Sequence, residues 1–206
     1  VIILKKHNTL DSFYNLRIKR YEKSMICLIS GTSRPQSQTL RVTKIFEKLF
    51  RNLGSETELL DLNKLPPEIF HPKSFSEKPE SFKLFTDKIL KAAGLYVVTP
   101  EYNGSYPGVL KHFIDMLPFP ESFEHRPVAF TGVAAGIWGA LRSVEQLTQV
   151  FQYRNGLVYS DRIFLPKVES QLTASDEFTS ALVKDLADKQ VRGFIDFCLK
   201  NSKLRP

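Results

Sequence analysis

The sequence predicts an α/β fold, a doubly wound five-stranded parallel sheet in the strand order 2-1-3-4-5. Three observations lead there. Five short apolar runs alternate with five stretches whose apolar residues recur at helical spacing, the alternation expected of repeated βαβ units. The third and fourth runs, residues 95–99 and 127–133, are nearly continuous in apolar and β-branched residues, as strands covered on both faces must be. The stretches after runs one, three and four are crowded with glycine, proline and hydroxyl residues, and right-handed crossovers place such loops on one edge of the sheet. Ligands of open α/β sheets sit at that edge.

Residues 1–24 have weak periodicity and no proline or glycine, and they end where the first clear strand begins. They are expected to be an appended basic arm ahead of one domain over residues 25–201, with Met25 as the natural start. A basic arm that packs on a neighbour through Leu10, Phe13, Tyr14 and Leu16 is the alternative. Strand one follows at residues 26–30. Gly31 permits a sharp turn, and Thr32, Ser33, Arg34, Ser37, Gln38 and Thr39 lead into a helix with Leu40, Ile45, Phe46 and Leu49 inward. Ser37 or Thr39 suits the capping position. Hydroxyls, unpaired backbone amides, a helix's positive end and one guanidinium make a phosphate site, although a capped helix without a ligand is the plainer reading of such a turn. It is neither a Walker loop nor the dinucleotide glycine fingerprint.

Strand two is expected at residues 56–61. Residues 62–80 carry four prolines, too many for a helix, and read as a long surface loop. Phe82, Phe85, Ile89 and Leu90 then mark an amphipathic helix over 81–93, and strand three follows at 95–99. Pro100, Asn103, Gly104, Pro107 and Gly108 break the pattern before Val109, Leu110, Phe113, Ile114 and Leu117 resume it as a helix. Strand four, at 127–133, opens onto Ala134, Ala135, Gly136, Gly139 and Ala140, small residues that let a ligand approach the backbone. Leu141, Val144, Leu147 and Phe151 define the next helix, which Gly156 closes. Strand five is expected at 158–165, and a last helix at 178–199 carries Val191, Phe194, Ile195 and Cys198 at i, i+3, i+4 and i+7.

Composition narrows the function. With 206 residues and 42% hydrophobic content, the chain can build one sizeable core. It contains no apolar run of eighteen residues, which excludes a helical membrane span on length and leads us to expect a cytoplasmic protein. The formal charge of +7 invites a nucleic-acid reading, yet more than half of that excess lies in residues 1–24 and no basic stripe follows. Cys27 and Cys198 sit in apolar patterns with no metal or disulfide spacing, and read as reduced core thiols. His71 and His125 lie in loop contexts and read as solvated surface.

Three stretches, GTSRPQSQT, PEYNGSYPGVLKHFID and AAGIWGALR, together resemble the NADPH-dependent FMN reductase family of flavodoxin-like proteins, over roughly residues 25–199. The first matches the family's phosphate loop at Gly31, Thr32, Arg34, Ser37 and Thr39. The second, Pro100-Glu101-Tyr102-Asn103 followed by Pro107-Gly108 and Leu110-Lys111, is the most specific. The third matches at Gly136, Gly139 and Arg142, with Ala140 where a second paired glycine is usual and His112 at a position commonly Asn. The resemblance implies FMN held by Thr32, Ser33, Arg34, Ser37, Gln38 and Thr39 at the phosphate, and by Pro100, Glu101, Tyr102, Asn103, Gly104, Ala135, Gly136 and Trp138 around the ring. Tyr102 would form a flat wall, and Trp138 would stack on the cofactor, meet a neighbouring subunit, or simply pack at a helix start.

It further implies hydride transfer from NADPH or NADH to FMN and on to a small acceptor: a quinone, free flavin, azo dye or metal oxyanion. No side chain is assigned an acid, base or nucleophile role, and Glu101 is expected to set loop geometry. A homodimer or homotetramer is implied as well, with residues 62–80 and the helix from Gly108 as contacts. A one-electron carrier like flavodoxin and a flavin-free receiver-type signalling module are the alternatives on the same fold. Flavodoxins are typically acidic, and receivers gather acidic residues where this chain has Thr32, Ser33 and Arg34.

Overall fold

A computed structural model describes residues 25–204; the expected arm at 1–24 lies outside the described residues. Strands β1 (Met25–Ser30), β2 (Glu56–Asp61), β3 (Gly94–Pro100), β4 (Pro127–Val133) and β5 (Leu157–Val158) form a parallel sheet in the order β2-β1-β3-β4-β5. Helices α1 (Gln38–Asn52), α2 (Lys83–Lys91), α3 (Gly108–Met116), α4 (Leu141–Tyr153) and α5 (Ala181–Asn201) cover both faces. No described helix is long and apolar enough to cross a membrane.

The alternation of strand side chains divides the core in two. Cys27, Ile29, Leu95, Val97, Val128 and Phe130 pack with α2, α3 and α4 residues such as Phe85, Phe113 and Leu147. Ile26, Leu28, Tyr96, Val98 and Ala129 face the other way, against Phe46 and Phe50 of α1 and Phe194 of α5. Both neighbours of each strand residue are therefore apolar, which is why these strands read as continuous runs.

Three expectations change. Strand five, expected as one piece over 158–165, is split into β5 and a separate β6 (Ile163–Leu165), both paired to β4. The cause is a buried side chain on α5: Gln190 donates to the Asp161 carbonyl at 2.8 Å and to the Phe130 carbonyl at 3.0 Å, drawing the intervening residues out of the ladder. Residues 62–80 are not a plain loop. Short 3₁₀ turns at Leu62–Lys64, Pro67–Phe70, Pro72–Phe75 and Glu80–Phe82 bury Leu62, Ile69, Ser74 and Phe82, and Pro67 and Pro72 open two of them, where the missing N–H costs nothing. The last helix begins three residues later than expected because Ser180, not a residue before Phe178, caps it, its hydroxyl accepting from the Val183 amide at 3.5 Å.

Candidate functional site

Three loops leave the carboxyl ends of β1, β3 and β4. The first begins with Gly31, whose amide donates to the Val98 carbonyl at 2.8 Å; a Cβ there would lie 2.9 Å from the same oxygen, so only glycine lets the chain turn off the sheet at this point. Thr32 is buried beneath the loop. Its hydroxyl accepts from the Arg34 amide at 3.1 Å and is bonded to the Tyr102 hydroxyl at 2.8 Å, which ties the first loop to the second. Gln36 adopts a left-handed φ of 51°, and Ser37 caps α1 by accepting from the Leu40 amide at 3.1 Å. The Gln38 and Thr39 amides belong to the first turn, where helix geometry supplies no internal acceptor. Arg34 is exposed and makes no ion pair with any described carboxylate.

In the second loop, Tyr102 and Ser105 exchange backbone hydrogen bonds of 2.8 and 3.1 Å around Asn103 and Gly104, which have φ of 52° and 77°. That is the type I′ hairpin turn, for which Asn-Gly is the preferred pair. The Glu101 carboxylate points the other way. Its Oε1 accepts from Arg142 Nη1 at 2.6 Å, while Oε2 is buried with no hydrogen-bond partner. Arg142 in turn lies over the Trp138 ring, 5.7 Å from its centroid.

The third loop is clamped from below. A Cβ on Gly132 would collide with the Gly139 carbonyl, and one on Gly139 would lie 2.9 Å from Phe164 Cβ. The loop is also laced to the segment after β6: the Ala134 amide donates to Leu165 O at 3.1 Å, Val168 to Ala134 O at 3.0 Å, and Lys167 to Gly136 O at 3.0 Å. Gly139 and Ala140 close it with φ of 58° and 67°.

A cavity of about 510 Å³ opens among these loops. Of the residues expected at the site, Arg34, Ser37, Gln38, Thr39, Pro100, Glu101, Tyr102 and Ala135 line it. Thr32 lies under the wall, and Ser33, Asn103, Gly104, Gly136 and Trp138 are not among the lining residues; Trp138 is 58% exposed. Pro35, Gln36, Val133, Ala134, Val168 and Glu169 join the lining beyond the expected set. Val168 and Glu169 come from a fourth segment that sequence reading passed over, although Lys167, with a left-handed φ of 47°, marks a turn leaving the same sheet edge.

The lining suits an elongated anion with an aromatic body. One end offers the α1 terminus, two first-turn amides and a guanidinium with no described carboxylate opposite it, the arrangement that binds phosphate. The other is walled by Pro100, Tyr102 and the small Ala134 and Ala135, while the Glu101 carboxylate is held on Arg142 with its Oε2 sealed from solvent. FMN, with its phosphate and its flat ring, fits both ends. No group of three or more metal-ligating side chains occurs among the described residues.

The model of the NADPH-dependent FMN reductase family matches residues 24–169. An NAD(P)H-dependent FMN reductase of Pseudomonas aeruginosa is 32% identical over 66% of this chain and 71% of its own. A quinone reductase of Pseudomonas putida is 26% identical over 83% of this chain and 90% of its own. Among solved structures, the flavoenzyme NAD(P)H:acceptor oxidoreductase FerB of Paracoccus denitrificans superposes with a TM-score of 0.72 at 24% identity, covering 86% of this chain and 98% of that one, which establishes the shared fold.

Proposed function

The chain belongs to the NADPH-dependent FMN reductase family, and from that premise we propose that it passes hydride from NAD(P)H through FMN to a small acceptor of the quinone or free-flavin class. The cavity that joins a helix terminus and an Arg34 without an ion pair among the described residues to a flat wall of Pro100 and Tyr102 carries this reading. When bound, FMN supplies the two-electron centre, taking hydride from nicotinamide C4 at its N5. The chain's own residues supply position and charge. Arg34 and the Gln38 and Thr39 amides hold the phosphate, Ala134 and Ala135 leave room for close approach, and Glu101, paired with Arg142, sets the geometry of the second loop. Backbone amides of the second loop stabilise the negative charge that grows on reduction.

The domain comprises residues 25–201 and works in the cytoplasm as a homodimer or homotetramer. Phe70 and Phe75, 53% and 62% exposed, flank His112 of α3 and support residues 62–80 with α3 as the subunit contact. The test is anaerobic mixing of FMN-loaded protein with NADPH and with NADH. Loss of flavin absorbance within seconds to minutes, followed by reoxidation on adding a quinone, is the expected outcome. Flavin that dithionite bleaches but neither nicotinamide does would replace this reading with that of a one-electron carrier.

A further inference from the structure

The second loop is not held by its own Tyr102–Ser105 bonds alone. Three side chains of α4, Arg142 and Ser143 in its first turn and Gln146 one turn further on, grip it from outside the cavity. Arg142 donates to Glu101 Oε1 at 2.6 Å. The Ser143 hydroxyl donates to the Pro100 carbonyl at 2.9 Å. Gln146 reaches the tip of the turn: its Nε2 donates to the Gly104 carbonyl at 3.3 Å, and its Oε1 accepts from the Ser105 hydroxyl at 2.5 Å. Gly104 and Ser105 belong to the turn whose central residues both have positive φ, so the tip has few backbone alternatives once those two bonds hold it.

We infer that Gln146, through its paired bonds to Gly104 and Ser105, is a positioning residue that presets the second loop for the flavin ring. The inference rests on the proposed FMN site and concerns a residue that is not among those lining the cavity. A loop already in its binding conformation loses little freedom when the ring arrives, whereas a loosened loop lowers the population competent to bind and weakens affinity by that fraction. The loss falls on the ring and not on the phosphate, so FMN and riboflavin suffer equally.

The experiment compares wild type with Gln146→Met, which keeps length and helix preference but neither hydrogen bond, and with Gln146→Glu, which still accepts from Ser105 but cannot donate to Gly104. Dissociation constants for FMN and riboflavin are read by flavin fluorescence, midpoint potential by dye equilibration, and amide exchange of residues 102–105 on flavin-free protein. The expected result for Gln146→Met is a roughly tenfold loss for both flavins, a lowered potential, and faster exchange confined to the loop with unchanged melting temperature. Gln146→Glu recovers part of each. Adding Ser105→Ala to Gln146→Met costs nothing further, since the shared bond is already gone.

Wild type that binds FMN while Gln146→Met matches it in both affinities, potential and exchange overturns the role of Gln146 and leaves the proposed function standing. Wild type that binds no flavin removes the proposed function itself, and with it this role, even if the exchange of the loop responds.

Discussion

Two arginines near the cavity already have carboxylate partners, Arg41 with Asp176 at 2.6 Å and Arg142 with Glu101 at 2.6 Å, whereas Arg34 has none among the described residues. A guanidinium with unspent donors beside a helix terminus is the group that tells a phosphorylated flavin from its dephosphorylated form. Hydrogen bonds to charged groups contribute about 1.5–3 kcal/mol. Arg34→Ala is therefore expected to weaken FMN by roughly ten- to a hundredfold and to leave riboflavin near wild type, and Arg34→Lys should fall between because it keeps charge without the fork. Titration of both flavins decides it: equal losses would take Arg34 away from the phosphate. This residue was legible because loop and helix are adjacent in sequence. Thr32 was legible only as a hydroxyl in the right stretch. That its oxygen is occupied by Tyr102, seventy positions along the chain, depends on how β1 and β3 pair, which no local pattern records.

The elements around the site were easier to foresee than their ends. Continuous apolar runs placed β3 and β4, because strands flanked by helices on both faces admit little else. The split of strand five was hidden, since it follows from Gln190 on a helix 29 residues beyond Asp161. The third loop shows the same limit in a testable form. Its small residues suggested room for a ligand, but Gly132 is small because the Gly139 carbonyl fills its space, and Gly139 because Phe164 and the Leu165 amide fill its own. A Cβ on Gly132 meets the Gly139 carbonyl, a backbone atom that can move only with its whole loop, and overpacking of this kind costs about 1–3 kcal/mol. Gly132→Ala should lower stability by that amount and also loosen the Ala134–Leu165 and Lys167–Gly136 bonds that shape the cavity wall. Urea unfolding and flavin affinity should fall together. A variant that loses neither would mean the loop adjusts freely, and the wall is not set by this contact.

At the scale of the whole molecule the sheet's burial has a titratable consequence. Cys27 lies on β1 in the core shared with α2, with no exposed surface, and burial pushes its thiol from 9.0 up to about 12, against smaller opposing effects of Lys88 and Arg126. Below pH 9 the thiol is neutral in both folded and unfolded chains, so its burial counts in full. Between pH 9 and 12 the unfolded chain gives up the proton while the folded one keeps it, and stability drains away as pH rises, by up to about 4 kcal/mol at 1.36 kcal/mol per pH unit. Tyr96, fully buried on the opposite face of the sheet, is raised above 10.0 by the same desolvation and adds to the loss further into alkali. Because β1 pairs with both β2 and β3, neither side chain meets water without opening the sheet, and the effect belongs to global unfolding rather than to a local fluctuation. Cys27→Ala isolates it. The variant should be less stable than wild type near pH 7, where it loses a well-packed sulfur, and the gap between them should narrow steadily above pH 9 as wild type alone bears the cost of keeping a thiol protonated. Urea titrations at pH 7, 8.5, 9.5 and 10.5 measure that gap, and a difference that stays constant across the series would show that Cys27 gains access to solvent without unfolding of the sheet.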